Sequence, residues 1–219
     1  MTRERKCAIL WSAPFALWLG MLMALPSTPA CYAARTVAVA LAGAACFALS
    51  KPERAPSADA DRRLGPAAAA FIGLAVAFLW IWPERFDFYL RWLTLQNAAD
   101  PAPSPYATAP AWLVAVRLVG SAFVIAPAEE LFFRSFLYRR LQSPHWLAVP
   151  HRRFDPSAFA WTVALFALEH DRPLVAALAG AAYGFAYLRG GIWCAVGAHA
   201  LTNLALGAWV VSQGAWRFW

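Results

Sequence analysis

Charge is scarce in this sequence of 219 residues. Asp, Glu, Lys and Arg make up 14% of it and hydrophobic residues 61%, whereas a soluble domain has about a quarter charged and about half apolar residues. This composition excludes a disordered chain and a coiled coil, and it disfavours a soluble enzyme. Cysteine is scarce as well. The four cysteines form no C-x-x-C pair, which argues against a disulfide scaffold and favours a packing role for them.

Basic residues exceed acidic ones, giving a net charge of +7. They occur in short clusters between apolar runs and form no continuous stripe, so we expect no nucleic-acid partner. The 12 Trp and 15 Phe suit the two interfaces of a bilayer, where aromatic rings collect. A membrane protein surrounded by lipid explains both the clustered basic residues and the high content of Trp and Phe.

Stretches without charge predict about seven membrane-spanning helices. At ~1.5 Å per residue, the longer runs cover the roughly 30 Å of a bilayer's hydrocarbon core. The runs are 7–25, 36–50 (which borrows 31–34), 64–83, 110–141, 157–168, 174–188 and 192–212. The expected fold is therefore an all-α, polytopic integral membrane protein.

The chain divides into two predicted regions. Residues 1–109 form an N-terminal membrane region with three spans, a polar loop over 51–63 and an interfacial segment over 84–109. Residues 110–219 hold the other four spans. Most Lys and Arg outside the spans fall on the same side as the N-terminus, which predicts a cytoplasmic N-terminus.

Five charged residues interrupt the apolar runs and need an explanation. They are Arg117, Glu129, Glu130, Arg134 and Glu169. An isolated charge at bilayer depth costs a few kcal/mol or more, so such residues usually face a cavity, pair with one another and carry function. We therefore expect a polar cavity inside the membrane.

The segment that contains Glu129 and Glu130 separates two neighbouring carboxylates. On a helix, Glu130 and Arg134 lie four residues apart on one face, in the order that favours an ion pair. Glu129 points about 100° away and stays available as a general base. The competing interpretation is that all three side chains merely face lipid headgroups.

Two histidines and an asparagine lie in or beside later apolar runs. His170 follows a run of only a dozen residues, which predicts a wet recess below the membrane surface. His199 and Asn203 lie four apart on one face of the last span, and neither belongs in lipid. Depths counted from the span ends allow these side chains to converge with Glu129.

Three motifs occur in order: Glu-Glu-x-x-x-Arg at 129–134, Phe-x-x-x-His at 166–170 and His-x-x-x-Asn at 199–203. Together they resemble the CAAX-protease and bacteriocin-processing (CPBP or Abi) family of intramembrane proteases, which includes the type II CAAX prenyl proteases. The resemblance covers roughly residues 110–212, and the first three spans match nothing specific.

This resemblance implies a membrane endopeptidase. By position, Glu129 (with Glu130 as the second candidate) and His170 would activate a water, while His199 and Asn203 would stabilise the oxyanion. The family is also described as metal-dependent. In that case Glu129, His170 and His199 would bind a divalent cation such as Zn²⁺. The sequence has no His-Glu-x-x-His pair, which favours the glutamate-activated water.

Alternatives from other functional classes remain open. The same buried groups suit a proton relay, a transporter or a haem protein with both histidines as axial ligands. A bacteriocin-immunity or scaffold protein would keep the fold without the activity. For the protease, the substrate expected is a peptide or protein, including lipid-modified ones. The Ala- and Arg-rich composition suggests the inner membrane of a bacterium.

Overall fold

The computed structural model describes residues 2–49, 64–86 and 104–219. Within these ranges the chain forms seven long helices and no strand, as the all-α prediction requires. They are α1 (Arg3–Ala24), α2 (Pro29–Leu49), α3 (Pro66–Ile81), α4 (Ala111–Gln142), α5 (Pro156–Leu168), α6 (Pro173–Gly190) and α7 (Ile192–Gln213). Short 3₁₀ turns occur at Trp82–Arg85, Pro105–Thr108, Trp146–Ala148 and Trp216–Phe218.

Four of these helices, α1, α2, α4 and α7, are long and apolar enough to cross a membrane. Helices α3 and α5 are apolar but shorter. The number of spans and the cytoplasmic N-terminus stay predictions. The polar loop predicted at 51–63 and most of the interfacial segment, at 87–103, lie outside the described residues.

Proline marks the start of four helices. A proline at the first helical position loses no hydrogen bond, because its missing N–H would have had no partner in the helix. Helix α5 also has an N-terminal cap, in which the side chain of Asp155 accepts a hydrogen bond from the Ala158 amide at 2.9 Å. The four prolines are Pro29, Pro66, Pro156 and Pro173.

A tight turn joins α6 to α7 at Gly191, whose φ of +78° suits glycine because it has no Cβ. The two helices therefore run antiparallel and pack along each other. Helix α7 also packs against α3 and α4. At its contact with α3, the hydroxyl of Thr202 donates to the Gly73 carbonyl at 2.9 Å. Small residues such as Gly73 permit this close approach of two helices.

Helix α4 is wound unevenly. It contains two π-helical segments, Ser121–Ile125 and Leu131–Leu137, on either side of an α-helical turn at Ala126–Glu130. Pro127 lacks the N–H that an α-helix would use at this point, and the Ala126 amide donates back to the Ser121 carbonyl. Single π-helical turns are frequent at functional sites, and here they flank the two glutamates.

Candidate active site

The predicted ion pair between Glu130 and Arg134 is present. Their Oε2 and Nε atoms lie 3.2 Å apart, and both side chains are almost completely buried. Arg134 also donates through Nη2 to the Gly180 carbonyl of α6 at 3.0 Å. Its guanidinium lies 4.6 Å from the centre of the Phe166 ring. Glu130 is thus neutralised by a partner that is itself held from two sides.

His199 is positioned by this ion pair. Its Nδ1 lies 2.9 Å from Oε1 of Glu130. A carboxylate that pairs with Arg134 accepts hydrogen bonds, so Nδ1 carries the proton and donates it. The Tyr183 ring of α6 stacks on the imidazole, with the centroids 4.5 Å apart and the planes at 16°. Together, Glu130 and Tyr183 fix both the tautomer and the plane of His199.

The other ring nitrogen of His199 faces Glu129. Its Nε2 lies 3.7 Å from Oε2 of Glu129, which has no hydrogen-bond partner among the described residues. A neutral Nε2 and a carboxylate oxygen are both acceptors. A proton, a water or a cation must therefore lie between these two atoms for the arrangement to be stable.

His170 lies just after α5, where the helix has ended. Its Nδ1 is 2.7 Å from the Phe166 carbonyl, which can only accept, so Nδ1 donates and Nε2 holds the lone pair. The Phe166 ring lies 4.6 Å away, and the Trp80 ring of α3 lies 5.9 Å away. His170 is thus presented as an acceptor or a metal ligand.

Glu169 joins the site beside His170. One ligand atom from each of Glu129, Glu169 and His170 lies within 4.8 Å of the other two. The side chains of Glu169 and His170 are 15% and 22% exposed, whereas that of Glu129 is 9% exposed. The cluster is therefore buried on the α4 side and reached by solvent on the α5–α6 side.

This donor set fits a divalent metal ion. Two carboxylates and an imidazole are ligands of catalytic zinc, which keeps one position open for water. Oε2 of Glu129 and Oε1 of Glu169 are both buried and have no hydrogen-bond partner among the described residues. The predicted ligand set was Glu129, His170 and His199. In the structure, Glu169 and not His199 completes the group with Glu129 and His170.

Asn203 forms a hydrogen bond within the protein that the sequence did not predict. Its amide donates to the Ser121 carbonyl at 2.9 Å, at the start of the first π-helical segment of α4. This bond ties α7 to α4 one turn below His199. Among the described residues, its hydrogen bond is with Ser121 and not with the glutamates or histidines, so its predicted role at the oxyanion stays a prediction.

Sequence reasoning missed three contributors to the site. Glu169 was recognised as a buried acid next to His170 but was given no role in the site, because the motif highlights only the histidine. Tyr183 and the Gly180 carbonyl come from α6, which carries none of the three motifs. The signal for Tyr183 was a tyrosine in the middle of an apolar run, which more often indicates packing.

Residues 110–205 match the family model described as type II CAAX prenyl endopeptidase Rce1-like. The match covers just under half of the chain and supports a CAAX-protease-like family for this segment. No curated protein and no solved structure matches the chain. The family is a protease family, which supports an enzyme associated with the membrane.

The CAAX-protease-like segment contains every residue of the candidate site. Glu129, Glu130 and Arg134 come from α4, His170 follows α5, and His199 comes from α7. Helices α1 to α3 lie outside the matched residues, although Trp80 of α3 contacts His170. Together with the four apolar helices, the match makes the chain an integral membrane protein.

Proposed function

We propose that this protein is an intramembrane endopeptidase of the CAAX prenyl protease type, which hydrolyses a peptide bond with a water held between Glu129 and His170. The observation that carries the proposal is the convergence of Glu129, Glu169 and His170 within 4.8 Å, with His199 next to them. A polar group of this kind, buried among apolar helices, is costly unless it has a function.

The hydrolysis would proceed through a tetrahedral intermediate. Glu129 accepts a proton from the water, and the water oxygen forms a bond to the carbonyl carbon of the substrate. His170 orients this water through the lone pair of Nε2. The carbon–nitrogen bond then breaks, and the proton passes from Glu129 to the leaving amine. The products are a carboxylic acid and an amine.

His199 would stabilise the oxyanion. For this role Nε2 has to carry a proton as well, while Nδ1 keeps its hydrogen bond to Glu130. The protonated Nε2 then donates to the oxygen on which negative charge develops. Asn203 has a second amide N–H besides the one used by Ser121, and this group would add a further donor.

The second form of the proposal includes a divalent cation. In this form Nε2 of His170 is a ligand of the cation and does not accept a hydrogen bond from the water. Glu129, Glu169 and His170 would hold the cation, and when bound it would make a water easier to deprotonate and polarise the carbonyl of the substrate. Oε2 of Glu129 and Oε1 of Glu169, which have no hydrogen-bond partner among the described residues, would then have the cation as their partner. Glu130 and Arg134 would remain positioning residues.

A groove near the start of α5 and the end of α6 suits an apolar substrate. It has a volume of about 530 Å³ and is lined by Arg152, Phe154, Phe159, Phe185, Leu188 and Arg189. A smaller pocket that reaches Arg134 shares Phe159 and Leu188 with it. We propose that the substrate is a peptide or protein with an apolar or lipid-modified segment, and that all seven helices lie in a bacterial inner membrane with the N-terminus in the cytoplasm.

The direct test uses the full-length protein purified in detergent. A peptide that ends in a farnesylated cysteine and three further residues is the probe, and release of the tripeptide is followed by mass spectrometry. We expect cleavage by the wild type and a loss of about 100-fold or more in Glu129→Gln and His170→Ala, the usual contribution of a general base. Glu4→Gln and His145→Ala are matched controls, because these two residues pair with each other away from the site.

Wild-type rates in Glu129→Gln would remove Glu129 from the mechanism. If the wild type leaves the peptide intact, the membrane proteomes of cells that express the wild type or Glu129→Gln are compared for new chain ends. New chain ends that appear only in cells with the wild-type protein would support the protease function. They would also show that its substrate is not the farnesylated peptide. Identical proteomes would contradict the proteolytic function.

Metal binding is tested by its stoichiometry. We expect about one divalent ion per chain in the wild type, measured by elemental analysis after dialysis, and a clear loss in Glu169→Gln but not in Glu4→Gln. A chelator should remove both the ion and the activity. Full activity in a protein free of metal would exclude the cation and leave the water activated by Glu129 alone.

A further inference from the structure

A second group of buried charge lies away from the candidate active site. Arg35 of α2 is 3% exposed, and Arg117 of α4 is half-buried. Both guanidinium groups lie beside the ring of Tyr32, at 5.9 Å and 4.4 Å. Three further rings complete the enclosure, namely Trp18 against Arg35, and Tyr106 and Trp219 against Arg117.

This arginine cluster has no acidic partner in the part of the chain that the structure describes. Nε and Nη1 of Arg35 are buried without a hydrogen-bond partner, and so are the hydroxyl groups of Thr36 and Tyr106. Ring contacts do not satisfy N–H groups. A buried charge without a counter-charge costs several kcal/mol, so the cluster is electrostatically incomplete as protein alone.

The unpartnered groups lie together. Thr36 follows Arg35 in the chain and packs against Gly120, where a Cβ atom would come within 2.6 Å of the Thr36 methyl group. Gly120 lies one turn after Arg117 on α4. Tyr106, whose ring is 5.1 Å from the Arg117 guanidinium, closes the same space. Polar groups from two helices and one turn therefore lie close to the Tyr32 and Tyr106 rings.

The positions of Arg35 and Arg117 along α2 and α4 indicate their depth in the membrane. Arg35 and Arg117 each lie six residues after the first residue of their helix, which is roughly 9 Å at the helical rise. Because Thr36 packs on Gly120 and Val39 packs on Ile125, α2 and α4 run parallel and start at the same surface. Aromatic rings collect at the headgroup level of a bilayer, and four of them, Trp18, Tyr32, Tyr106 and Trp219, surround the two arginines.

We propose that Arg35, Thr36, Tyr106 and Arg117 bind the phosphate of an anionic phospholipid. A phosphate accepts several hydrogen bonds and matches the planar guanidinium group, so it would satisfy all the unpartnered donors at once. Arg117 is partly open, which gives the headgroup a way in. The acyl chains would lie along α1 and α2, whose outward faces are apolar. The proposed phosphate ligands do not include Glu129 or His170, so the proposal does not depend on proteolysis.

The test measures lipid retention and thermal unfolding of the full-length protein after delipidation in detergent. Phosphatidylglycerol, phosphatidylcholine and inorganic phosphate are added separately. We expect phosphatidylglycerol to be retained in native mass spectrometry and to raise Tm, with binding weakened about tenfold or more in Arg35→Gln and Arg117→Gln. Arg140→Gln is the matched control, because Arg140 is exposed at the opposite end of α4.

Two results would overturn the proposal. Equal retention of phosphatidylglycerol in the wild type, Arg35→Gln and Arg117→Gln would show that the cluster binds no lipid. Saturable stabilisation by inorganic phosphate, without any preference for phosphatidylglycerol, would assign the site to a free anion. If Arg35→Gln does not fold, Arg35→Lys replaces it. Lysine keeps the charge and loses the planar fork, so we expect weakened but measurable retention.

Discussion

Arg134 and Arg35 are both almost fully buried, at 1% and 3% exposure, but their surroundings differ. Arg134 has the Glu130 carboxylate at 3.2 Å and the Gly180 carbonyl at 3.0 Å. Arg35 has ring contacts with Trp18 and Tyr32, and two of its nitrogens have no hydrogen-bond partner. The first region is balanced by the protein itself. The second has no counter-charge among the described residues, which is why we propose an anionic ligand there.

This difference explains how one helix serves two purposes. Neutralising Glu130 inside the protein leaves Glu129 as the carboxylate that faces Glu169 and His170. At the other end of α4, Arg117 has ring contacts and no acidic partner among the described residues, so its positive charge is available to a ligand. On this interpretation, the paired charge of Arg134 positions neighbouring residues, whereas the unpaired charge of Arg35 and Arg117 binds an anionic ligand.

The largest effect should come from removing Arg134. Arg134→Met leaves the Glu130 carboxylate buried without its partner, so we expect a loss of about 3–5 kcal/mol in the free energy of unfolding. Arg35→Met removes a buried charge that has no counter-charge among the described residues, which offsets the loss of its ring contacts, so we expect a loss below about 1–2 kcal/mol or none. Both are measured by denaturant unfolding in detergent without added lipid.

Arg140→Met is the control for this pair, because Arg140 is exposed. We expect it to lie within about 0.5 kcal/mol of the wild type. Equal losses in Arg134→Met and Arg35→Met would contradict the comparison, since they would show that the two buried charges are compensated to the same degree.

Two glycines, one in each region, allow a second test of the difference between the regions. At Gly120, a new Cβ would lie 2.6 Å from the methyl group of Thr36, so α2 and α4 must separate. We expect Gly120→Ala to cost about 1–3 kcal/mol in stability and to leave the activity of the folded protein unchanged. Gly20→Ala is the control, because nothing lies within 4 Å of that position.

The other glycine, Gly180, lies behind Phe166. A Cβ there would come within 3.0 Å of the Phe166 ring, which in turn contacts His170 and Arg134. Displacing a catalytic group by a fraction of an ångström is costly for the rate, so we expect Gly180→Ala to lower activity about tenfold with a smaller change in stability than Gly120→Ala. Tripeptide release and unfolding measured on the same sample check both values.

Much of the fold followed from the sequence because backbone groups in a bilayer must be satisfied within each helix. Long charge-free runs therefore had to be helices, and the observed bounds of α1, α4 and α7 lie close to those predicted. The start of α2 at Pro29 lay before the predicted run. Proline at a first helical position was the signal that identifies it.

The candidate site was predictable where spacing within one helix determines it, as for Glu130 and Arg134. It was not predictable where the chain leaves the helix or where another helix supplies the partner. Glu169 follows the last residue of α5, so helical periodicity does not define its direction. Asn203 shares a face with His199, but its hydrogen bond to Ser121 depends on how the π-helical segment of α4 packs against α7.

The smallest effect concerns the Tyr183 ring, which stacks on His199 at 4.5 Å. The Glu130 bond fixes the tautomer of His199, but it does not stop the imidazole from rotating about that bond, so the ring stack holds its plane. A stacked pair is worth about 0.5–1.5 kcal/mol. Tyr183→Leu should therefore lower kcat/KM about fivefold, whereas Tyr183→Phe keeps the stack and should stay near the wild type. An equal loss in both variants would place the effect on the hydroxyl group and not on the ring.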